Sequence, residues 1–207
     1  MFYLVKFPRW LRWIYPGCIW EIPGEDKRLY LTFDDGPHPE VTGFVLDELK
    51  KFGAKASFFC IGKNVKAYPE VYKRIIAEGH TVGNHTYSHE RSLQKNDRAF
   101  MEDIEKAKGF IDSNLFRPPY GKISRFQLRL LRSERFRLRT VMWTVLSGDF
   151  DSTITSKQCL NNILLYATAG SIIVMHDSEK CRQKIQEVLP HVLKKFAESG
   201  YSFERLT

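Results

Sequence analysis

Long apolar runs are missing from this chain. No stretch approaches the ~20 residues that a helix needs to cross a bilayer. The N-terminus has neither a long apolar core nor a small-residue cleavage site, so the expected location is the cytoplasm. Cysteine is scarce: Cys18, Cys60, Cys159 and Cys181 are the four, none in a Cys-x-x-Cys pair. That argues against a thiolate zinc site, and nothing in the spacing calls for a disulfide. No low-complexity linker, internal repeat or composition break divides the sequence. Its 207 residues read as one domain, 1–207, large enough to bury a core. No basic run interleaves with aromatics as a nucleic-acid groove requires, so nucleic acid is not an expected partner. No feature calls for an obligate protein partner.

The formal charge is +8, from 32 basic and 24 acidic residues. A solvated basic surface accounts for this, and so would an anionic partner such as a phosphorylated glycan or a membrane surface. Residues 1–28 are expected to pack on the domain and to close one end of its core. This segment mixes Phe2, Tyr3, Phe7, Trp10, Trp13, Tyr15 and Trp20 with Lys6, Arg9 and Arg12, a composition that also suits a membrane interface.

Strand-like runs alternate with helical periodicity along the rest of the chain. Strands are expected at 29–33, 56–61, 81–84, 115–117, 138–145, 171–175 and 201–206. Helices are expected at 40–52, 69–78, 97–113, 124–135, 155–169 and 180–199. That order predicts an α/β fold of parallel βαβ units. Residues suited to chemistry follow the carboxyl ends of several of these strands. Such ends meet around one axis in a closed barrel but spread along a line in an open sheet, which favours a barrel.

The chemistry rests on few residues. Histidine is scarce, six in all, yet His85 and His89 stand at i, i+4 directly after a predicted strand. On a helical turn that spacing puts both imidazoles on one side, able to share a metal ion. Asp34 and Asp35 are adjacent carboxylates, costly to bury together without a cation. One can ligate a metal while the other takes a proton from metal-bound water. Two histidines and one carboxylate leave a coordination position open, as in a catalytic zinc site; cobalt, nickel and iron suit the same donors. His176 ends an apolar strand and is a candidate general acid. Arg117 is placed to keep a free aspartate ionised. The backbone N–H of Tyr120, held by Pro118 and Pro119, is a candidate oxyanion donor. Each has a plainer reading alone: an Asp-Gly turn, surface histidines, a strand-end histidine, a surface arginine.

Taken together, these segments resemble the polysaccharide deacetylases of the NodB-homology type, carbohydrate esterase family 4. Thr32-Phe33-Asp34-Asp35-Gly36, His85-Thr86-Tyr87-Ser88-His89 and Arg117-Pro118-Pro119-Tyr120-Gly121 are similar to that family's first three motifs. The resemblance implies a distorted (β/α)7 barrel. It implies Asp34 as base, Asp35, His85 and His89 as metal ligands, Arg117 steadying the base and the Tyr120 amide in an oxyanion hole. The fourth motif, usually Asp-x-x-Asp-Trp, reads Leu146-Ser147-Gly148-Asp149-Phe150, and the fifth, usually Leu-x-His, reads Val174-Met175-His176. Asp149 is then expected to orient Arg117 or His176, and the wall that holds the acetyl group and sugar is altered. The expected activity is metal-dependent removal of an N-acetyl or other N-acyl group from a sugar or polysaccharide, on an anionic or lipid-linked glycan in one version. The rivals are an O-deacylase or other amide hydrolase on the same machinery, and a non-catalytic glycan-binding module.

Overall fold

The computed structural model describes residues 3–8, 10–24, 26–90 and 96–207; Phe2 and Arg9 of the aromatic and basic segment lie outside them. Among the described residues the strands are β1 (Cys18–Ile19), β2 (Arg28–Asp34), β3 (Ala56–Cys60), β4 (Thr81–Asn84), β5 (Leu115–Phe116), β6 (Arg139–Val141), β7 (Val145–Leu146), β8 (Ile172–His176) and β9 (Ser202–Phe203). The helices are α1 (Leu11–Ile14), α2 (Val41–Lys51), α3 (Gly62–Ala67), α4 (Pro69–Ala77), α5 (Asp97–Lys108), α6 (Arg125–Arg132), α7 (Ser156–Tyr166) and α8 (Arg182–Glu198). Short 3-10 turns occupy Pro119–Gly121 and Glu179–Cys181.

The sheet runs β1-β6-β5-β4-β3-β2-β8-β7, with β9 beside β2, and the pairings are parallel. β7 closes one end of that order and β6 is next to the other, yet only Met142, Trp143 and Thr144 separate them. So short a link spans at most ~14 Å even when extended. The two ends of the sheet must therefore curl toward each other, and the result is the distorted (β/α)7 barrel. The single strand expected at 138–145 is in fact this crossing. Met142 N–H donates to the Ile19 carbonyl at 2.7 Å, and Thr144 N–H to that of Ile172 at 3.0 Å. The β-like composition of these residues, with Val141, Met142 and Trp143 at its centre, reports burial but not a change of partner.

Strand alternation separates two cores. Leu29, Leu31 and Phe33 of β2 face outward against α2 and α8, with Ile173 and Met175 of β8. Tyr30, Ile172 and Val174 face inward, packed with Trp20, Phe59, Leu115 and Trp143. The inward series continues as Tyr30, Thr32, Asp34 and as Ile172, Val174, His176. Both therefore end at the carboxyl mouth of the barrel on a polar residue, and Asp34 and His176 are register partners.

Several boundaries differ from expectation. α5 stops at Lys108 with Gly109 as its cap, short of residue 113. α7 ends at Tyr166, and the first turn expected of α8 is 3-10. α3 was not expected, because Val65 is its single strongly apolar buried residue. Residues 85–89 are not a helical turn but a loop, with Thr86 and His89 at positive φ of 65° and 59°. The N-terminal segment runs along the free edge of β7. Lys6 bridges Val145, Leu146 N–H donates to the Val5 carbonyl, and Phe7 N–H donates to that of Thr144.

Candidate active site

Asp34, Asp35, His85, His89, Tyr120 and His176 line one cavity of about 550 Å³ at the carboxyl ends of the strands. Arg117 lies beneath it, fully buried. Its guanidinium donates to Asp34 Oδ1 and to Thr32 Oγ1, each at 2.7 Å. It donates also to the carbonyls of Val141 and Met142 and stacks 4.0 Å over the Phe59 ring. Burial pulls the guanidinium pKa down, against the Asp34 charge that raises it. A buried arginine so fully partnered stays charged and gives Asp34 a fixed counter-ion.

Asp35 points elsewhere. Its φ of 79° breaks the strand alternation that would turn it away from Asp34. The sequence pattern places that freedom in Gly36-Pro37; the structure places it at Asp35 itself. Gly36 has a different reason to lack a side chain. A Cβ there would lie 2.1 Å from Asp177 Oδ2, while Gly36 N–H donates to Asp177 Oδ1 at 3.0 Å. Thr42 also donates to Asp177, so a buried carboxylate ties β2's turn to the end of β8. Burial raises the Asp177 pKa to about 7, held down in part by the Thr42 bond.

The two histidines reach Asp35 without a helix. His89 Nε2 lies 3.1 Å from Asp35 Oδ1, and His85 Nε2 lies 3.8 Å from it. The loop between them is fixed by polar side chains. Asn84 Oδ1 accepts from Thr86 N–H, Thr86 Oγ1 accepts from His89 N–H, and Asp103 accepts from the N–H groups of Tyr87 and Ser88. His85 Nδ1 is 2.7 Å from the Arg117 carbonyl. That contact requires the proton on Nδ1 and leaves the Nε2 lone pair facing Asp35.

This donor set fits a cation. Asp35 Oδ1 is buried with no hydrogen-bond partner, an acceptor that costs free energy unless something positive meets it. Burial would raise the Asp35 pKa, but the neighbouring imidazoles of His176, His89 and His85 outweigh it and the net shift is downward. Burial lowers His89 to about 4, so its imidazole is neutral. The ligand atoms of Asp35, His85 and His89 lie within 4.8 Å of one another. A tetrahedral ion with bonds of ~2.0–2.2 Å needs donors ~3.3–3.6 Å apart, close to the spacings seen.

His176 faces this group from β8. Asp149, fully buried, receives the His176 backbone N–H at 2.6 Å and sits 2.7 Å from its Nδ1. Ser147 Oγ donates to Asp149 Oδ1, the oxygen that faces His176 Nδ1, at 2.9 Å. Burial lowers the His176 pKa, but Asp149's charge and hydrogen bond, with Asp35 and Asp34 behind them, raise it to about 9. Of the two partners expected for Asp149, the structure pairs it with His176; Arg117 is taken by Asp34 and Thr32. Tyr120 has φ 59°, and its ring lies 5.0 Å from that of His89.

Sequence reasoning missed Thr32, Asn84, Asp103, Ser147 and Asp177. Thr32 alone carried a signal, as the inward neighbour of Asp34 at i−2 on a strand.

Residues 21–138 match the family model described as polysaccharide deacetylase. The chain is 32% identical over 190 residues to a peptidoglycan-N-acetylglucosamine deacetylase of Bacillus cereus, covering 89% of this chain and 88% of that one. It is 35% identical over 165 residues to a chitooligosaccharide deacetylase of Azorhizobium caulinodans, covering 75% and 76%. Its fold superposes on a crystal structure of the Bc1960 peptidoglycan N-acetylglucosamine deacetylase with a TM-score of 0.87 and 30% identity, over 97% of this chain and 95% of that one. The barrel, the Asp-His-His group and the buried arginine–aspartate pair thus come with sequence kinship across most of the chain, which belongs to the polysaccharide deacetylase family.

Proposed function

We propose that the protein removes N-acetyl groups from amino sugars of a glycan, with Asp34 as general base and His176 as general acid. The observation that carries this reading is the pair of opposite partners in one cavity. Asp34 accepts from the buried Arg117 guanidinium at 2.7 Å, and His176 is held in its protonated form by Asp149. A carboxylate paired with a guanidinium and an imidazole paired with a carboxylate face each other across the carboxyl mouth of the barrel, one placed as base and the other as acid.

A divalent cation held by Asp35, His85 and His89, zinc first among candidates, supplies polarisation of the amide carbonyl and acidification of water. Asp34 takes the proton of the attacking water on its carboxylate. The fixed guanidinium of Arg117 keeps that carboxylate oriented until then. The Tyr120 N–H donates to the carbonyl oxygen as negative charge builds on it. His176, held through Nδ1 by Asp149, presents Nε2–H to the departing amine and completes the cleavage.

The test is acetate release from N-acetylglucosamine oligomers and peptidoglycan fragments, run beside O-acetylated counterparts. Acetate from the N-acetyl set supports the reading; release from the O-acetyl set alone makes the protein an esterase. No release from either, with cation bound, favours the non-catalytic glycan-binding module.

We propose also that the protein touches an anionic membrane surface. Trp13, 84% exposed, flanks a groove of about 680 Å³ lined by Arg125, Arg129 and Arg132, which α6 presents at i, i+4 and i+7. Such aromatic and basic side chains suit an interface bearing negative charge. Co-sedimentation with vesicles rich in anionic phospholipid tests it. Binding lost in Arg125→Glu/Arg129→Glu supports the contact, and no binding by the intact protein refutes it.

A further inference from the structure

The cavity has an apolar wall that the proposed chemistry does not use. Its outer part comes from the N-terminal segment, whose Tyr3, Leu4 and Phe7 line the same cavity as Asp34 and His176. Its inner part is Leu146, Phe150 and Val174. The segment is fixed there by its backbone bonds to β7 and by ring contacts. Tyr3 lies 5.1 Å from Phe150 and Phe7 5.2 Å from Trp143, while Phe150 meets the His176 ring at 5.3 Å. Gly148 makes room for it: at φ +82°, a Cβ there would fall 2.7 Å from the Tyr3 hydroxyl.

What lies against this wall can be argued from what it offers. Leu4, Phe7, Leu146, Phe150 and Val174 have no side-chain hydrogen-bonding group. The hydroxyl of Tyr3 is engaged by Asp151. The hydroxyls of a sugar ring buried there would lose water without gaining partners, whereas an alkyl chain would gain contacts and lose nothing. Leu146 also stands where the resembling motif carries an aspartate, so the wall has one acid fewer than that pattern.

We propose that Tyr3, Leu4 and Phe7, with Leu146 and Phe150, form an acyl-chain subsite, and that the protein acts on amino sugars whose N-acyl group is longer than acetyl. This rests on the N-deacetylase reading above and widens its acyl group. Each methylene laid on the wall raises kcat/KM by roughly 4-fold.

The experiment compares glucosamine oligomers carrying N-formyl, N-acetyl, N-propionyl and N-butyryl groups, followed by release of the carboxylic acid from the intact chain. The expected result is kcat/KM rising from acetyl to butyryl by roughly 10-fold or more. Leu4 is 40% exposed, so Leu4→Asn should leave thermal unfolding unchanged while lowering the butyryl-to-acetyl ratio at least several-fold. Phe7→Ala provides a second variant of the same wall with the same expected direction. A kcat/KM that falls 10-fold from acetyl to propionyl overturns the subsite and leaves the deacetylase reading standing. So does a ratio unmoved in both variants. Failure to release any acid from any member of the series overturns the deacylase reading as well.

Discussion

Asp149→Asn is the perturbation that the geometry describes most fully. The substitution keeps the side chain's shape and removes the charge that faces His176 Nδ1 at 2.7 Å. With Asp149 in place the His176 pKa stands at about 9. Without it, burial is opposed only by the weaker pull of Asp35 and Asp34, and the imidazole falls toward its ordinary 6.5. A fall of that size is worth about 3 kcal/mol between the two protonation states. At pH 7 the protonated fraction drops only about 4-fold, but at pH 8.5 it drops roughly 75-fold. The assay is kcat against pH from 6 to 10. The wild type should hold its activity until pH rises through about 9, and the variant should lose its basic limb about 2 units or more earlier. Stability carries the same signature. A histidine whose folded pKa is raised contributes stability that is complete below about 6.5 and is lost as pH rises through about 9. The melting temperatures of wild type and variant should therefore converge across that window. A basic limb that does not move would refute the assignment of His176 as the acid.

Three further outcomes follow from the same contacts. Arg117→Ala leaves Asp34 buried beside an unfilled volume and should cost about 3–5 kcal/mol by chemical denaturation; Arg117→Lys, lacking the fork that spans Asp34 and Thr32, should recover only part of it. Asp177→Ala strips partners from Gly36 N–H and Thr42, so it should cost about 2–4 kcal/mol and weaken metal affinity through the Asp35 turn; affinity equal to wild type would separate that turn from the ligands. Since burial raises Asp177 to about 7, its folded form favours the proton, and Asp177→Asn should lose less stability, relative to wild type, at pH 8 than at pH 5.

The sequence carried the site further than it carried the fold's closure. Asp34, Asp35, His85, His89, Arg117 and His176 are legible because metal and proton chemistry needs those residue types, and because each follows a strand whose apolar run can be read. The route by which His85 and His89 meet was not legible. Their i, i+4 spacing suggests a helical turn, but the loop is set by Asn84, Thr86 and Asp103, polar residues with no periodic signal. The seam of the barrel was hidden for a related reason. Residues 138–145 read as one strand-like stretch while their hydrogen bonds pass from Ile19 to Ile172. Likewise the Asp149–His176 pair joins the turn after β7 to the end of β8, a contact that spacing along the chain does not report.

The account's central claim is that two adjacent carboxylates do different work: Asp35 holds a cation and Asp34 moves a proton. Metal content and turnover measured together in Asp34→Asn and Asp35→Asn test it directly. Asp34→Asn should bind metal as the wild type does while kcat falls by about 10²–10⁴, and Asp35→Asn should lose metal and turnover together. Normal turnover in Asp34→Asn, or full metal occupancy in Asp35→Asn, would contradict it.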